Sequence, residues 1–507
     1  MIFKFVFTFC GLLSLVGCQY LENFVNDNSD LSIVKHELLS INSSQGFTTY
    51  TLNLTSLQWF SPQLSDRSVW WHNVFVSVPD NLDEKKPILY LIDDGRNEAN
   101  DTLSERSKPF TSFSVQCKCI TVIQRQIPNQ PIKFTGDPEN KYRIEDDIIA
   151  TTFALYLYNK TLFPQETYNY VPLLFPMVKS VKRGFDETIK FLKSRKINFT
   201  EKFVVGGASK RGWTSWLVTA VDQRIIATVP IVFDLLKWNE NFHNQYMSYG
   251  GGYSYALFDY YSIGSTQLLD TLNTRELLKL IDPISYIEKY RGKKFLLFTA
   301  NNDQFFLPQN TRAWWRDLSI QTDNQVFIKR FPNVDHFLSD ETRLAMLKNV
   351  KSFLDLINRD ADTTRTLPIF NWSFENSLLF GKIEAKLSNL NEFESYSLKA
   401  YWSFSENKEK IDFRGSFLLN SNIRSSNVRW SDYSIVQDKL MPNSTIENSY
   451  KTLRVFSLFR YMAFYVDVTL KLKNSDDVFT ISTDFNIMPE YYPVGDCHGK
   501  ECFGNLI

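Results

Sequence analysis

Phe203–Leu217 reads FVVGGASKRGWTSWL, and the order of its parts decides the fold. Phe203-Val204-Val205 is an apolar strand. Gly206–Gly212 is a tight, glycine-bearing turn, and a helix follows it. A strand that passes through such a turn straight into a helix has the layout of a nucleophile elbow, which lifts a serine oxygen above a sheet edge. The serine here is Ser209. Gly207, two residues earlier, supplies the room the turn needs. The helix amino terminus behind Ser209 favours developing negative charge, and the Lys210 backbone N–H is a candidate oxyanion donor. One position departs from the usual G-x-S-x-G: Arg211 stands where the second glycine is expected, and a large side chain there crowds the turn.

Outward from the elbow, further buried strands recur. Pro87–Ile92 (PILYLI) is a continuous apolar run that ends in Asp93-Asp94-Gly95, and such runs belong to strands covered on both faces. Thr228–Phe233, Phe295–Thr299 and Val326–Ile328 have the same character. His72–Val78 alternates before Pro79, as a half-buried strand does. Met177, Val181, Phe185, Thr188 and Leu192 recur at helical steps, one stripe facing a sheet. Strands alternating with helices predict an α/β fold with a mostly parallel sheet, an α/β-hydrolase-like domain over residues 30–357. From about Pro368 the period becomes two. Leu398, Ala400, Trp402 and Phe404 alternate with polar neighbours, as do Val466, Val468, Leu470 and Leu472. Residues 368–490 therefore read as a C-terminal antiparallel β-sandwich-like domain. Asp360–Thr366 is the expected linker, and residues 491–507 form a cysteine-containing tail.

A serine nucleophile needs a base, and the base needs an orienting carboxylate, in the chain order Ser, Asp or Glu, His. Asp303 follows the FLLFT strand and His336 follows the next one; of the five histidines, His336 alone stands after a buried strand in that order. Gly95, after the PILYLI strand, is where a second oxyanion N–H is expected. Weaker signals accompany these. Glu145-Asp146-Asp147 either caps a helix starting at Ile148 or receives a substrate amine. Tyr246–Tyr261, with Trp238, is either a cap or binding surface, or plain core. Trp213, Trp216, Trp314 and Trp315 read as helix core. No H-E-x-x-H, C-x-x-C, P-loop or dinucleotide glycine motif occurs, so neither a metal nor a nucleotide cofactor is expected.

The 507 residues carry 56 basic and 56 acidic side chains. At roughly 100–200 residues per domain, two or three domains fit. Zero net charge lacks the basic footprint that nucleic acid or an anionic membrane surface requires. Met1–Val16 has one lysine and an apolar run too short to span a bilayer, the order of a signal peptide over residues 1–18. Leu15-Val16-Gly17-Cys18 also fits a bacterial lipobox. Seven sequons, at Asn42, Asn53, Asn100, Asn159, Asn198, Asn371 and Asn443, favour a eukaryotic secretory route. Four cysteines then remain: Cys117, Cys119, Cys497 and Cys502. They allow two disulfides and three connectivities. Because Cys117 and Cys119 flank one residue of a strand-like run, their partners are expected elsewhere, where they would staple the tail. The mature protein is expected to be soluble and extracellular, a glycoprotein without stable membrane insertion.

Several stretches together resemble the PhoPQ-activated pathogenicity-related family, an α/β-hydrolase-like group of exported proteins. They include Gln126–Pro131, Glu145–Ala150, Pro176–Ser180, Gly207–Thr214, Asp282–Tyr286, Asn302–Phe306 and Pro332–His336. The resemblance runs from about residue 30 to 490, and the family shares the S-K-R-G elbow, Arg211 included. The chain is similar to the amoebal branch of the family. That resemblance implies an extracellular signal that represses proliferation of the cells secreting it, with a cell-surface receptor and other secreted proteins as partners. The alternative is a secreted serine hydrolase, an esterase or peptidase, with Ser209 as nucleophile, His336 as base and Asp303 orienting it.

Overall fold

Continuous apolar runs form the central strands, and amphipathic stretches form the helices that cover them. The computed structural model describes residues 19–98, 102–158, 163–165, 167–359, 366–377, 380–440, 445–453 and 460–507. The expected signal peptide with Cys18, the sequons at Asn100, Asn159 and Asn443, and most of the expected linker lie outside the described residues. The chain divides into two compact units, residues 1–231 with 271–293, and residues 232–270 with 294–507.

The first unit holds strands β1 (Lys35–Ser44), β2 (Phe47–Gln58), β3 (Val69–Pro79), β4 (Ile88–Ile92), β5 (Thr121–Gln124), β6 (Phe203–Ala208) and β7 (Ile225–Ile231). Their spatial order is β1-β2-β3-β5-β4-β6-β7. Pairing is antiparallel as far as β5 and parallel from β5 through β4 and β6 to β7. Helices α1 (Lys108–Cys117), α2 (Glu145–Tyr158), α3 (Leu174–Ser194) and α4 (Lys210–Val221) accompany them. The α3 stripe Met177, Val181, Phe185, Thr188 and Leu192 is fully buried. Phe185 stacks on Phe203 at 4.3 Å and meets the edge of Tyr90 at 4.7 Å, which locks helix to sheet.

The strand order creates a topological switch point. From β4 the chain crosses to β5 on one side, whereas from β6 it moves to β7 on the other. Ligands of open α/β sheets bind beyond the carboxyl ends of strands where the direction reverses in this way. The strands that flank the reversal, β4 and β6, are the ones followed by Gly95 and Ser209. β3 differs from its expected half-buried state: Val74, Phe75, Val76 and Ser77 are all buried. It lies between β2 and β5, and both α1 and α3 pack against it.

The second unit contains helix α5 (Trp238–Ser248), strand β8 (Gly252–Tyr253), the parallel pair β9 (Lys294–Ala300) and β10 (Val326–Phe331), and helix α6 (Asp340–Arg359). Antiparallel strands follow, as the period-two pattern predicts. β11 (Ile369–Asn376), β12 (Phe380–Ser388) and β17 (Ile446–Leu453) make one sheet. β16 (Ser431–Lys439), β13 (Phe393–Phe404), β18 (Met462–Leu472) and β19 (Val478–Ser482) make another, with β20 (Asn486–Met488) paired to β18. β14 (Ser416–Leu419) and β15 (Asn422–Ser425) form a small hairpin. The α/β-hydrolase-like mixed sheet with helices and the antiparallel carboxyl-terminal sheets are thus both present. An aromatic cluster that includes Phe413, Trp430, Tyr465 and Phe485 forms part of the second core. On β18 the alternation breaks at Asp467, which is buried and held by Ser482 and Lys329.

The disulfides are a correction. Cys117 pairs with Cys119, and Cys497 pairs with Cys502. The stretch before Cys119 is not a strand: Cys117 is the last residue of α1, and Lys118 has φ 52°. That left-handed residue turns the chain back, which brings the Cα atoms of Cys117 and Cys119 to 5.2 Å. The tail is held instead by its own loop and by pairing. β21 (Asn505–Leu506) runs parallel to β8, Tyr253 donates its hydroxyl to the Cys502 carbonyl at 2.9 Å, and Tyr261 stacks on Phe503 at 4.9 Å. The aromatic segment 246–261 therefore serves as the seat of the tail.

Candidate functional site

The elbow is built as its sequence demands. Ser209 has φ 56° and ψ −126°, a backbone conformation that L-residues adopt only when the surroundings enforce it. Enforcement comes from both sides. The Ser209 N–H donates to the Ile231 carbonyl at 2.8 Å, and the Ser209 carbonyl accepts the first helical bond from Trp213 at 3.0 Å. Ser209 is half-buried, and its hydroxyl does not cap α4. The helix folds so tightly over β6 that a Cβ on Gly207 would sit 2.6 Å from the Arg211 carbonyl oxygen, so only glycine fits there.

Arg211 does not crowd the turn. Its side chain runs away from Ser209 to Glu145, donating to Oε2 at 2.7 Å and Oε1 at 2.6 Å, and donates from Nε to the Ile127 carbonyl at 2.6 Å. Lys210 pairs with Glu145 at 2.7 Å and with Asp146 at 2.9 Å. Burial would raise the Glu145 carboxyl, but Arg211 and Lys210 hold it well below the usual range. The helix expected from Ile148 begins at Glu145 itself, with the acidic run in its first turn; Glu145 and Asp146 clamp the elbow, and Asp147 pairs with Arg143. No short motif records this link. The signal that bears on it is an arginine in a tight turn, which needs a carboxylate partner when buried.

Beside the elbow, β4 pairs with β6 so that Ile92 lies opposite Gly207. Gly95 follows three residues on, at φ 142°, with its carbonyl accepting from Gln130. Gly95, Ser209 and Lys210 thus follow the carboxyl ends of two adjacent strands in the first unit. Asp93 bonds Ser107 at 2.7 Å and Arg125 at 3.1 Å; burial and the neighbouring Asp94 push its carboxyl up to about 6.

In the second unit Asp303 and His336 come together. Asp303 Oδ2 accepts from His336 Nδ1 at 2.8 Å, and Asp303 Oδ1 accepts the backbone N–H groups of Phe305 at 2.7 Å and Phe306 at 3.2 Å. Both side chains are buried. A carboxylate on Nδ1 fixes the tautomer and leaves Nε2 as the basic nitrogen. The His336 backbone N–H is held by Gln304 Oε1 at 3.1 Å, and Phe305 packs on the ring at 4.4 Å. His72 is unsuited to such a role: it is sealed in the core against Ser56 and the Arg125 carbonyl, and burial pushes it down to about 4.

Asp303 also lines a small cavity with Asp234, Thr299, Phe306 and Arg330. Burial pushes the Asp234 carboxyl up to about 7, with Arg330 opposing and Asp303 adding to the rise. In the unfolded chain this carboxyl ionises near pH 4. Its contribution to stability is therefore greatest below about pH 4 and declines as pH rises to about 7. Asp234→Asn removes that decline, and urea midpoints of the native and variant proteins between pH 4 and 8 should diverge steadily in favour of the variant. Parallel curves would show that Asp234 is ionised throughout.

The model of the PhoPQ-activated pathogenicity-related protein family matches residues 21–414. The chain belongs to that family. The chain is also similar to "Autocrine proliferation repressor protein A" of Dictyostelium discoideum, with 30% identity over 506 residues, covering 97% of this chain and 96% of that protein. Among solved structures it is similar to an acetyl xylan esterase from Paenibacillus sp. R4, with TM-score 0.42 and 11% identity over 68% of this chain and 93% of that one. Acetyl xylan esterase 1 from Thermoanaerobacterium sp. JW/SL YS485 gives TM-score 0.40 and 16% identity over 65% and 90%. The fold of this family member rests on its own strand order. Among its described residues no helix is long and apolar enough to cross a membrane.

Proposed function

We propose that this protein is an extracellular signal that restrains proliferation of the cells that make it, acting through a cell-surface receptor. The observation that carries the reading is 30% identity, across 97% of the chain, to a protein named for autocrine repression of proliferation. The signal-peptide order of Met1–Val16 and the sequons agree with export. The experiment is direct: purified protein is added to dividing cells of the source organism, and cell density is followed against cells lacking the gene. Added protein should lower the density reached by the deficient cells to that of the parent. Equal growth with and without it overturns the proposal.

A second reading, a secreted serine hydrolase acting on an ester or amide, is favoured by the backbone of Ser209 and by the Asp303–His336 pair. In that reading Ser209 Oγ attacks the carbonyl carbon, His336 takes its proton, and Asp303 stabilises the imidazolium. The Lys210 and Gly95 N–H groups receive the oxyanion. The two readings are compatible, because a fold does not fix a function.

A further inference from the structure

We infer that the dithiol form of the Cys497–Cys502 loop, together with His243, is a Zn²⁺ site, so that the tail is closed either by a disulfide or by a metal. His243 stands on α5, and the cysteines lie in the tail as C-H-G-K-E-C, within the usual spacing of structural zinc ligands. The ligand atoms of His243, Cys497 and Cys502 all lie within 4.8 Å of one another, and all three residues are buried. His243 Nδ1 is 3.8 Å from Cys497 Sγ. Two carboxylates flank the imidazole. Asp496 Oδ1 lies 2.7 Å from Nδ1, on the same side as the sulfurs, and Asp270 Oδ1 lies 3.2 Å from Nε2 on the other side.

This is the layered arrangement of a zinc centre. Nδ1 and the two thiolates supply three ligands, and the Asp496 carboxylate stands beside Nδ1. The Nε2–H donates to Asp270, which orients the ring and raises its basicity, as carboxylates behind metal-bound histidines do. With the disulfide formed, the sulfurs are bonded to each other and carry no charge, so a soft cation finds no thiolate pair. Reduction by a dithiol transfers two electrons and two protons to the bond. Two cysteine thiols result, and the reductant leaves as its cyclic disulfide. Zn²⁺ then displaces the two thiol protons and binds the thiolates. The second pair, Cys117–Cys119, has no histidine or carboxylate bonded to it among the described contacts and offers an internal comparison.

The test uses the full chain, reduced without oxygen by a phosphine, which leaves no competing thiol, and titrated with Co²⁺ followed by Zn²⁺. One Co²⁺ per chain should bind with thiolate-to-metal charge-transfer absorption, and Zn²⁺ should displace it. The unreduced protein should show no such band. His243→Ala should abolish the one-to-one site, and Asp270→Asn should weaken Zn²⁺ binding about tenfold to a hundredfold. Cys117→Ser/Cys119→Ser should leave the band in place. Absence of the band in the reduced native chain overturns the inference, as does its loss in the Cys117→Ser/Cys119→Ser variant with survival in Cys497→Ser/Cys502→Ser. Because native protein in its two redox states supplies the primary comparison, the outcome does not depend on any variant folding.

Discussion

Ser209→Ala is expected to abolish covalent labelling of the protein by a fluorophosphonate probe while leaving its circular dichroism and urea midpoint unchanged. The hydroxyl sits at φ 56° on a turn held at both ends by backbone hydrogen bonds, and it is half-buried. Alanine fits that backbone as well as serine does, so chemistry and folding separate cleanly. If a small ester is turned over, the variant should lose roughly four orders of magnitude or more in kcat, the scale of losing a nucleophile that acts as a unit with its base. His336→Ala should lose a similar amount, and the double variant no more than either alone. Labelling that persists in Ser209→Ala, or a native protein that resists the probe, removes the hydrolase reading. Tested for growth restraint, Ser209→Ala also separates the two functions: full restraint with no labelling means that the signal does not depend on acyl chemistry.

Glu145→Ala should produce the largest loss of stability of any single surface-side change near the elbow, about 3–5 kcal/mol. Arg211 is buried and donates two hydrogen bonds to this one carboxylate, and Lys210 shares it. Removing the acid leaves a buried guanidinium hydrogen-bonded to the Ile127 carbonyl, with Asp93 and Asp94 acting on it only through space, while Lys210 keeps Asp146. The charge then lacks a directly bonded carboxylate, which costs more than the pair itself contributes. Glu145→Ala/Arg211→Met should accordingly recover most of the loss, because a buried ion pair replaced as a whole by apolar groups is close to neutral. Denaturant midpoints of the three proteins provide the check. A loss below about 1 kcal/mol in Glu145→Ala would mean that water reaches Arg211 and that the clamp is ornamental.

The clamp also shows where reading the sequence ran short. Arg211 in place of a glycine reads as an obstruction, and Glu145-Asp146-Asp147 reads as a helix cap or a receiver of a substrate amine. In the chain, 66 positions separate the two members of the pair. Local periodicity cannot report such a contact. The α3 stripe was legible because its partners are one helical turn apart, and β4 and β6 were legible because burial on both faces writes a continuous apolar run. Asp303 and His336 were legible in a weaker way, by chain order after successive strands, and a hydrogen bond joins them. The cysteines failed for a local reason. One left-handed residue, Lys118, converts a spacing that cannot pair in a strand into one that does.

By itself the sequence determined the alternation of strand and helix, the elbow at Ser209, the period-two carboxyl-terminal region and the family. All of these are fixed by interactions between near neighbours or by patterns that burial imposes on consecutive residues. Only the tertiary structure decided that Glu145 clamps Arg211, that the aromatic segment 246–261 seats the tail, and that His243 meets Cys497 from 254 residues away. These contacts close long loops, and closure is set by the packing of whole elements, whose energy is spread over many apolar side chains and written in no single motif.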